Sequence, residues 1–217
     1  MVDLTLHFVR HGESLANAAD RSGRPRPAEW DALSERGWEQ ARGLGRRLEG
    51  EGLELIVASR MRRAQETAQG IREVLGLPIE TEPDLHELSQ SDAFYESGGN
   101  FGETASLNWM PDAPRDFAQP GAESFDEILG RVVAVRDRLE ARAADERILL
   151  VSHYGFLHFF LGLALFGDAF GPEHLIPLWY AGHANTGITV FERRNRRMDG
   201  MDFEGWHLLT WNDRAHL

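Results

Sequence analysis

Leu4-Thr5-Leu6-His7-Phe8-Val9 runs directly into Arg10-His11-Gly12, and this junction decides the reading of the fold. The short apolar run reads as a buried strand. Leu53 to Ala58 is a second such run, and Ile148 to Val151 is a third that leads into Ser152-His153. Helical patterns separate them. Ser34 opens one in which Trp38, Ala41, Leu44 and Leu48 share a face, closed by Gly50 and Gly52. Another follows Ser59, with Ala64, Thr67 or Ala68, Ile71 and Leu75 inward, and Gly76 and Pro78 stop it. Pro78 to Glu82 reads as a short edge strand. Ser124-Phe125-Asp126-Glu127 matches a capping box ahead of the stripe Phe125, Ile128, Leu129, Val132, Val135 and Leu139. An apolar helix follows from Gly155. Two strands, Gly187 to Glu192 and Gly205 to Trp211, close the chain around a polar turn at Asp199-Gly200.

Strands alternating with helices predict an α/β three-layer sandwich, with a mainly parallel central sheet and helices on both faces. No internal repeat or linker divides the chain, so residues 1–217 are expected to form a single domain. The polar stretch 89–122, with Gly98-Gly99, Pro111, Pro114 and Pro120, is expected as an insertion over the site.

The chain has 217 residues, 42% of them hydrophobic, enough to bury a substantial core. It has no cysteine, which excludes disulfides and thiolate metal sites and suits a reducing compartment. Met1-Val2-Asp3-Leu4 does not read as a signal peptide. Phe156 to Phe166 is too short to span a bilayer and contains His158. The expectation is a cytoplasmic protein without a membrane partner. A formal net charge of −12 argues against nucleic acid as a general partner. It would also repel phosphorylated ligands at long range, so any phosphate site must be a local basic cluster. Arg60-Met61-Arg62-Arg63 and Arg21 to Arg26 show that such clusters exist.

In open α/β sheets, ligands bind beyond the carboxyl ends of the strands. Arg10-His11 follow the first strand, Arg60 to Arg63 the second and His153 the third, so two histidines and at least one arginine should converge on one sheet edge. These residue types suit phosphoryl transfer. A neutral imidazole can attack phosphorus, and nearby arginines favour the neutral form. Arginine also presents a planar fork of donors to phosphate oxygens. A carboxylic acid must protonate the leaving oxygen, and Glu87, just beyond the edge strand, lies at a plausible depth.

These residues resemble the histidine phosphatase superfamily, which includes the cofactor-dependent phosphoglycerate mutases. Six blocks carry the resemblance in order. They are Arg10-His11-Gly12-Glu13-Ser14 with Asn17; Leu33-Ser34-Glu35 with Gly37 and Gln40-Ala41; Ser59, Arg63-Ala64 and Thr67-Ala68; Leu85 and Glu87; Gly121-Ala122-Glu123-Ser124; and Val151-Ser152-His153. The resemblance implies that His11 is the nucleophile and that Arg10, Arg63 and His153 hold the phosphoryl oxygens. Asn17 would assist, and Glu87 would be the general acid and base. It selects Arg63 over Arg60 and Arg62, and it implies a small phosphate ester as substrate. The expectation for this chain is no metal, since no carboxylate accompanies His153 and His158 at ligand spacing, and no cofactor.

Two departures sharpen the expectation. Tyr154 stands where the family usually has glycine, so its backbone N–H can serve while its ring narrows or decorates the substrate pocket. The mutases carry an Arg-His-Tyr-Gly block around the acid and a later arginine pair. This chain has Leu85-His86-Glu87-Leu88-Ser89 and a lone Arg115. Hydrolysis is therefore expected ahead of mutase-type transfer. A non-catalytic phosphate-binding role is a third alternative, disfavoured because a binding module has no need of the acid.

Other groups have plainer readings. Arg60, Arg62, Arg72 and most of Arg131 to Arg147 read as solvated helix faces. His158 lies just over one turn from His153, with no carboxylate at metal-ligand spacing. Arg21, Arg24 and Arg26 form either a solvated loop or a border of the pocket. Phe94, Tyr95, Phe101, Trp109, Trp179 and Tyr180 either anchor long loops or form an apolar hood.

Overall fold

Successive residues of the first strand are buried against opposite layers, as expected for a sheet covered on both faces. The computed structural model describes residues 2–19, 28–91, 109, 111–142, 146–198 and 201–217. Its strands are β1 (Val2–Arg10), β2 (Leu55–Ser59), β3 (Ile79–Glu82), β4 (Arg147–Ser152), β5 (Ile188–Met198) and β6 (Met201–Asp213). Its α-helices are α1 (Leu15–Ala18), α2 (Glu35–Arg47), α3 (Arg62–Leu75), α4 (Phe125–Glu140), α5 (Tyr154–Phe166) and α6 (Pro172–Tyr180). One sheet has the order β3-β2-β4-β1-β5-β6. The first four strands pair in parallel, and β5 and β6 join as an antiparallel hairpin against β1. The α/β architecture read from the sequence is present.

Leu6, Phe8, Val57, Ile148 and Leu150 pack under Phe125, Ile128 and Val132 of α4 and Phe156, Phe159 and Phe160 of α5. Val9, Ile56, Ala58, Leu149 and Val151 pack under Leu44 of α2 and Ala64, Ala68 and Ile71 of α3. Phe8 joins strand to helix through Phe160, with ring centroids 4.6 Å apart. The caps follow the sequence signals. Ser34 Oγ accepts the Gly37 N–H at 3.0 Å. Ser124 and Glu127 close their capping box through bonds of 3.2 and 2.8 Å, a device worth ~1 kcal/mol.

Several boundaries differ from the sequence reading. Ser59 ends β2, and α3 begins after Met61. Helix α6 was hidden by Pro177, a residue that normally reads as a breaker. The terminal hairpin is longer at both inner ends, because its polar residues broke the apolar alternation while its backbone continues to pair up to Met198↔Met201. Gly205 lies inside β6, paired with Arg194, rather than at its start. Arg21, Arg24, Arg26, Phe94, Tyr95, Gly98-Gly99, Phe101 and the Asp199-Gly200 turn lie outside the described residues, as does much of the expected insertion. Trp109 is buried against Phe159 and Trp179, with centroids 6.4 and 6.3 Å away. Tyr180 is exposed. No helix among the described residues is long and apolar enough to cross a membrane.

Two histidines beneath the carboxyl edge make the fold sensitive to acid. Burial pushes His158 down to about 4 and His183 to about 3. The unfolded chain takes up these protons below about 6.5, before the folded chain does. Stability is therefore complete above that pH and declines as pH falls towards 4, by on the order of 3 kcal/mol for His158 alone. Chemical denaturation between pH 7 and 4 should show a shallower pH slope for His158→Phe than for the wild type. Identical slopes would contradict this account.

Candidate active site

Two neighbouring parallel strands, β1 and β4, bring the sequence-predicted histidines together. Arg10 pairs with Ser152 across β1 and β4, and the His11 N–H donates to Ser152 O at 3.0 Å. His11 and His153 are buried, with ring centroids 5.2 Å apart. Arg63, from the first turn of α3, reaches both. Its Nε–H donates to His11 Nε2 at 3.0 Å, and its Nη2 meets His153 Nδ1 at 3.1 Å.

Guanidinium is a donor only, so both ring nitrogens facing it must carry lone pairs. The opposite nitrogens are then protonated. His11 Nδ1–H donates to Gly12 O at 2.7 Å, and His153 Nε2–H donates to Ser59 Oγ at 2.8 Å. Both imidazoles are held neutral. Burial lowers the His11 pKa well below its ordinary value, Arg63 and Arg10 lower it further, and the Gly12 carbonyl only partly opposes them. His153 is lowered by burial first, then by Arg63, His11, Arg10 and His86.

The segment after His11 is fixed by residues from the second and third sequence blocks. Gly12 N–H donates to Thr67 Oγ1 at 2.9 Å, while Thr67 Oγ1 donates to Arg63 O at 2.6 Å. A Cβ on Gly12 would sit 2.7 Å from Gly37 O, and one on Gly37 would sit 2.1 Å from Glu13 O. Two backbones meet here with no room for side chains. Glu13 N–H donates to Gln40 Oε1 at 2.8 Å, and Ser34 Oγ donates to Glu13 Oε1 at 2.8 Å.

Asp31 has a place that the sequence reading did not foresee. It pairs with Arg63 Nη1 and accepts the Arg62 N–H at 2.9 Å. It thereby anchors the guanidinium and caps α3, for which Met61 supplies no side-chain cap. Asn185 was also unassigned. Its Nδ2 donates to His11 O at 2.8 Å and to Asn17 Oδ1 at 3.3 Å. The next residue, Thr186, has φ 57°, a strained conformation for a β-branched side chain, and its N–H donates to Arg10 O at 2.9 Å. Neither Asp31 nor Asn185 belongs to an apolar period, so pattern alone gave no signal for them.

Arg10 Nη1 donates to His183 O at 2.8 Å, and its guanidinium lies 5.3 Å from the centre of the Tyr154 ring. The Tyr154 hydroxyl donates to Trp179 O at 2.6 Å, so the phenol ring, rather than its oxygen, faces Arg10. Burial raises the Tyr154 pKa. Asn17 lies in the capping box of α1, where its Oδ1 also accepts the Ser14 N–H at 3.3 Å.

Glu87 arrives from the other side, on the loop beyond β3. Its Oε1 accepts N–H bonds from Leu88 at 3.0 Å and Gly155 at 2.9 Å. Gly155 lies in the first turn of α5, immediately beyond the His153 cap, so the carboxylate and the second histidine share one helix end. A Cβ on Gly155 would fall 2.7 Å from Glu87 Oε1 and 2.4 Å from Leu88 Cγ, which makes glycine necessary for this approach.

Arg115 is not brought to the site. It donates to Asp126 Oδ1 at 2.8 Å and Phe170 O at 3.2 Å, bracing the start of α4. Arg60 is exposed, and Arg62 pairs with Glu66 on the surface. His158 donates to Tyr154 O at 2.7 Å one turn below the site. Among the described residues, no group of three or more histidine or acidic side chains could hold a metal ion.

A buried imidazole pair bridged by arginine, at the carboxyl edge of a mainly parallel sheet, defines the class of site. The chain belongs to the histidine phosphatase superfamily (branch 1), which it matches over residues 6–214. A bifunctional protein of Mycobacterium tuberculosis is 33% identical over 171 residues, covering 74% of this chain and 44% of that protein. The chain thus spans less than half the length of this curated relative. The probable phosphoglycerate mutase GpmB of Yersinia pestis is 28% identical, with 99% and 95% covered. Among solved structures, a mycobacterial glucosyl-3-phosphoglycerate phosphatase in complex with inorganic phosphate is similar, with a TM-score of 0.69 and 25% identity over 98% of this chain and 99% of that one.

The electrostatics make a prediction independent of turnover. Nitrogen NMR of the imidazoles should find His11 and His153 neutral at pH 5.5, with Arg63→Met raising both pKa values. Ordinary titration of either ring near 6.5 in the wild type would contradict the described geometry.

Proposed function

We propose that this protein is a phosphomonoesterase that acts on a small phosphate ester through a covalent phosphohistidine on His11. The observation that carries this reading is the Arg63 bridge, which leaves His11 Nε2 unprotonated and facing a guanidinium. When a phosphate monoester enters, the Arg63 donors would transfer from ring nitrogens to phosphoryl oxygens, joined by Arg10 and His153. Nε2 would then bond to phosphorus as the bond to the ester oxygen breaks, and Glu87 as an acid would protonate the departing alkoxide. In the second half, Glu87 as a base takes a proton from water. The water oxygen bonds to phosphorus, the N–P bond breaks, and inorganic phosphate and neutral His11 are restored. Every role falls to a side chain, so the reading is metal-independent.

Fixed donors serve the spreading charge of the transition state, where the loss of one typically costs ~10²–10³ in rate. The net charge of −12 opposes substrate approach. It acts through salt screened over about 8 Å, however, whereas the buried arginine and histidines act at contact. Local donors win. Asn17, tied through Asn185 to the His11 carbonyl, would orient the nucleophile's loop, and the Tyr154 ring would line the approach for the substrate body. The same reading takes residues 1–217 as one histidine phosphatase-like domain with 89–122 inserted over the site. The engagement of Arg115 with Asp126 and Phe170 O supports hydrolysis over mutase transfer, because it leaves that arginine without a substrate carboxylate to grip.

The test is release of phosphate from an aryl monoester by wild type, His11→Ala and Glu87→Gln. The alanine variant should lose turnover by at least about 10³-fold, since it removes the nucleophile outright. Glu87→Gln should slow alkyl esters much more than aryl esters, whose leaving groups need less protonation. Turnover only with a bisphosphorylated glycerate primer would replace this reading with mutase transfer. No turnover on a broad panel of monoesters would replace it with phosphate binding alone.

A further inference from the structure

Glu87 follows a single 3-10 turn, Pro83–Leu85, and the backbone carbonyls leading up to it are satisfied one after another by side chains from elsewhere in the fold. Ser152 Oγ donates to Leu85 O at 2.8 Å. On either side of that bond, Arg131 Nη1 donates to Asp84 O at 2.7 Å and to His86 O at 2.9 Å. Arg131 comes from α4, with its side chain 9% exposed, although its position among the arginines 131–147 suggested a solvated face. The rest of its guanidinium forms a bidentate pair with Glu123, Nε to Oε1 and Nη2 to Oε2, each at 2.8 Å.

Glu123 then reaches the far side of the loop. Its Oε2 accepts the Ser89 N–H at 2.8 Å, and its own N–H donates to Ser89 O at 3.1 Å. Burial acts to raise the Glu123 pKa, but the bonds and charge of Arg131 outweigh it and hold the carboxylate ionised. Its backbone carbonyl also accepts the Trp109 indole N–H at 3.1 Å. Glu87 therefore lies between two sets of backbone contacts, the Asp84 and His86 carbonyls and Ser89, that one buried ion pair holds.

We propose that Arg131 and Glu123 are a positioning pair that sets the reach of Glu87 towards the leaving oxygen. The hydrogen bonds of the pair go to the backbone on either side of Glu87, and the Arg131 guanidinium also lies 5.7 Å from the centre of the Phe156 ring, beside the Gly155 that holds the Glu87 side chain. This inference rests on the phosphomonoesterase reading. It deepens that reading by assigning the geometry of the acid to residues distant from it in sequence. Three donor nitrogens in one plane are in use, so a point-charge ammonium cannot substitute for this arginine. A displacement of about 1 Å in a reacting group can cost ~10²-fold in rate.

The experiment compares Arg131→Lys, Arg131→Met and Glu123→Gln with wild type on an alkyl and an aryl monoester, with vanadate inhibition measured in each. Alkyl kcat should fall by ~10–100-fold, while aryl kcat and the vanadate inhibition constant stay within about threefold, because the phosphate pocket is untouched. In a Glu87→Gln background, Arg131→Lys should cause little further loss on the alkyl ester, since an acid that is absent cannot be misplaced. Equal slowing of both esters, weakened vanadate binding, or full additivity with Glu87→Gln would overturn the proposal. If Arg131→Met fails to fold, the lysine and Glu123→Gln variants decide by the same criteria. Failure of the phosphatase reading itself would appear separately, as turnover that survives His11→Ala.

Discussion

One guanidinium organises the carboxyl edge of this sheet. Arg63 donates to a ring nitrogen of each buried histidine, and this fixes which nitrogen of each is protonated. A cation placed among buried groups needs compensation, and Asp31 provides it while also capping the helix that carries the arginine. The supporting contacts then follow from steric demand. Gly12 and Gly37 allow the His11 segment to lie against the start of α2, and Thr67 ties that segment to the backbone of Arg63 itself. Removal of any one of these would loosen the alignment of His11, Arg63 and His153.

The sheet itself was legible because apolar runs buried on both faces have few alternative readings. Each leads into polar residues that parallel pairing places beside the others, so the convergence of His11, His153 and an arginine from 60–63 could be inferred from order alone, while the family resemblance was needed to select Arg63. The second block, Ser34, Gly37 and Gln40, now has a physical purpose, since all three residues hold the segment after His11. Asp31, Asn185 and Arg131 were not legible as site-shaping residues. Their roles depend on which loops meet across the edge, and no period or spacing encodes that. Arg131 shows the difficulty most plainly, because a helix arginine looks solvated until a loop with unsatisfied carbonyls is folded over it. The terminal hairpin was underestimated for a related reason. Its pairing is maintained by backbone bonds through a polar stretch.

Two structural units thus supply the side chains of the candidate site. Strands β1 and β4 and helix α3 place His11, His153 and Arg63, while the backbone after β3 places Glu87. They meet at the first turn of α5, where His153 occupies the N-cap position and the Gly155 N–H holds Glu87. Under the phosphomonoesterase proposal, that shared helix end would couple phosphate recognition to proton transfer by short-range geometry. The most direct test is a high-resolution structure with vanadate bound. Vanadium should be bonded to His11 Nε2, with Arg10, Arg63 and His153 on its oxygens and Arg63 no longer donating to the imidazole. Vanadate bound elsewhere, or an Arg63 that keeps both ring nitrogens while the anion is present, would contradict the account.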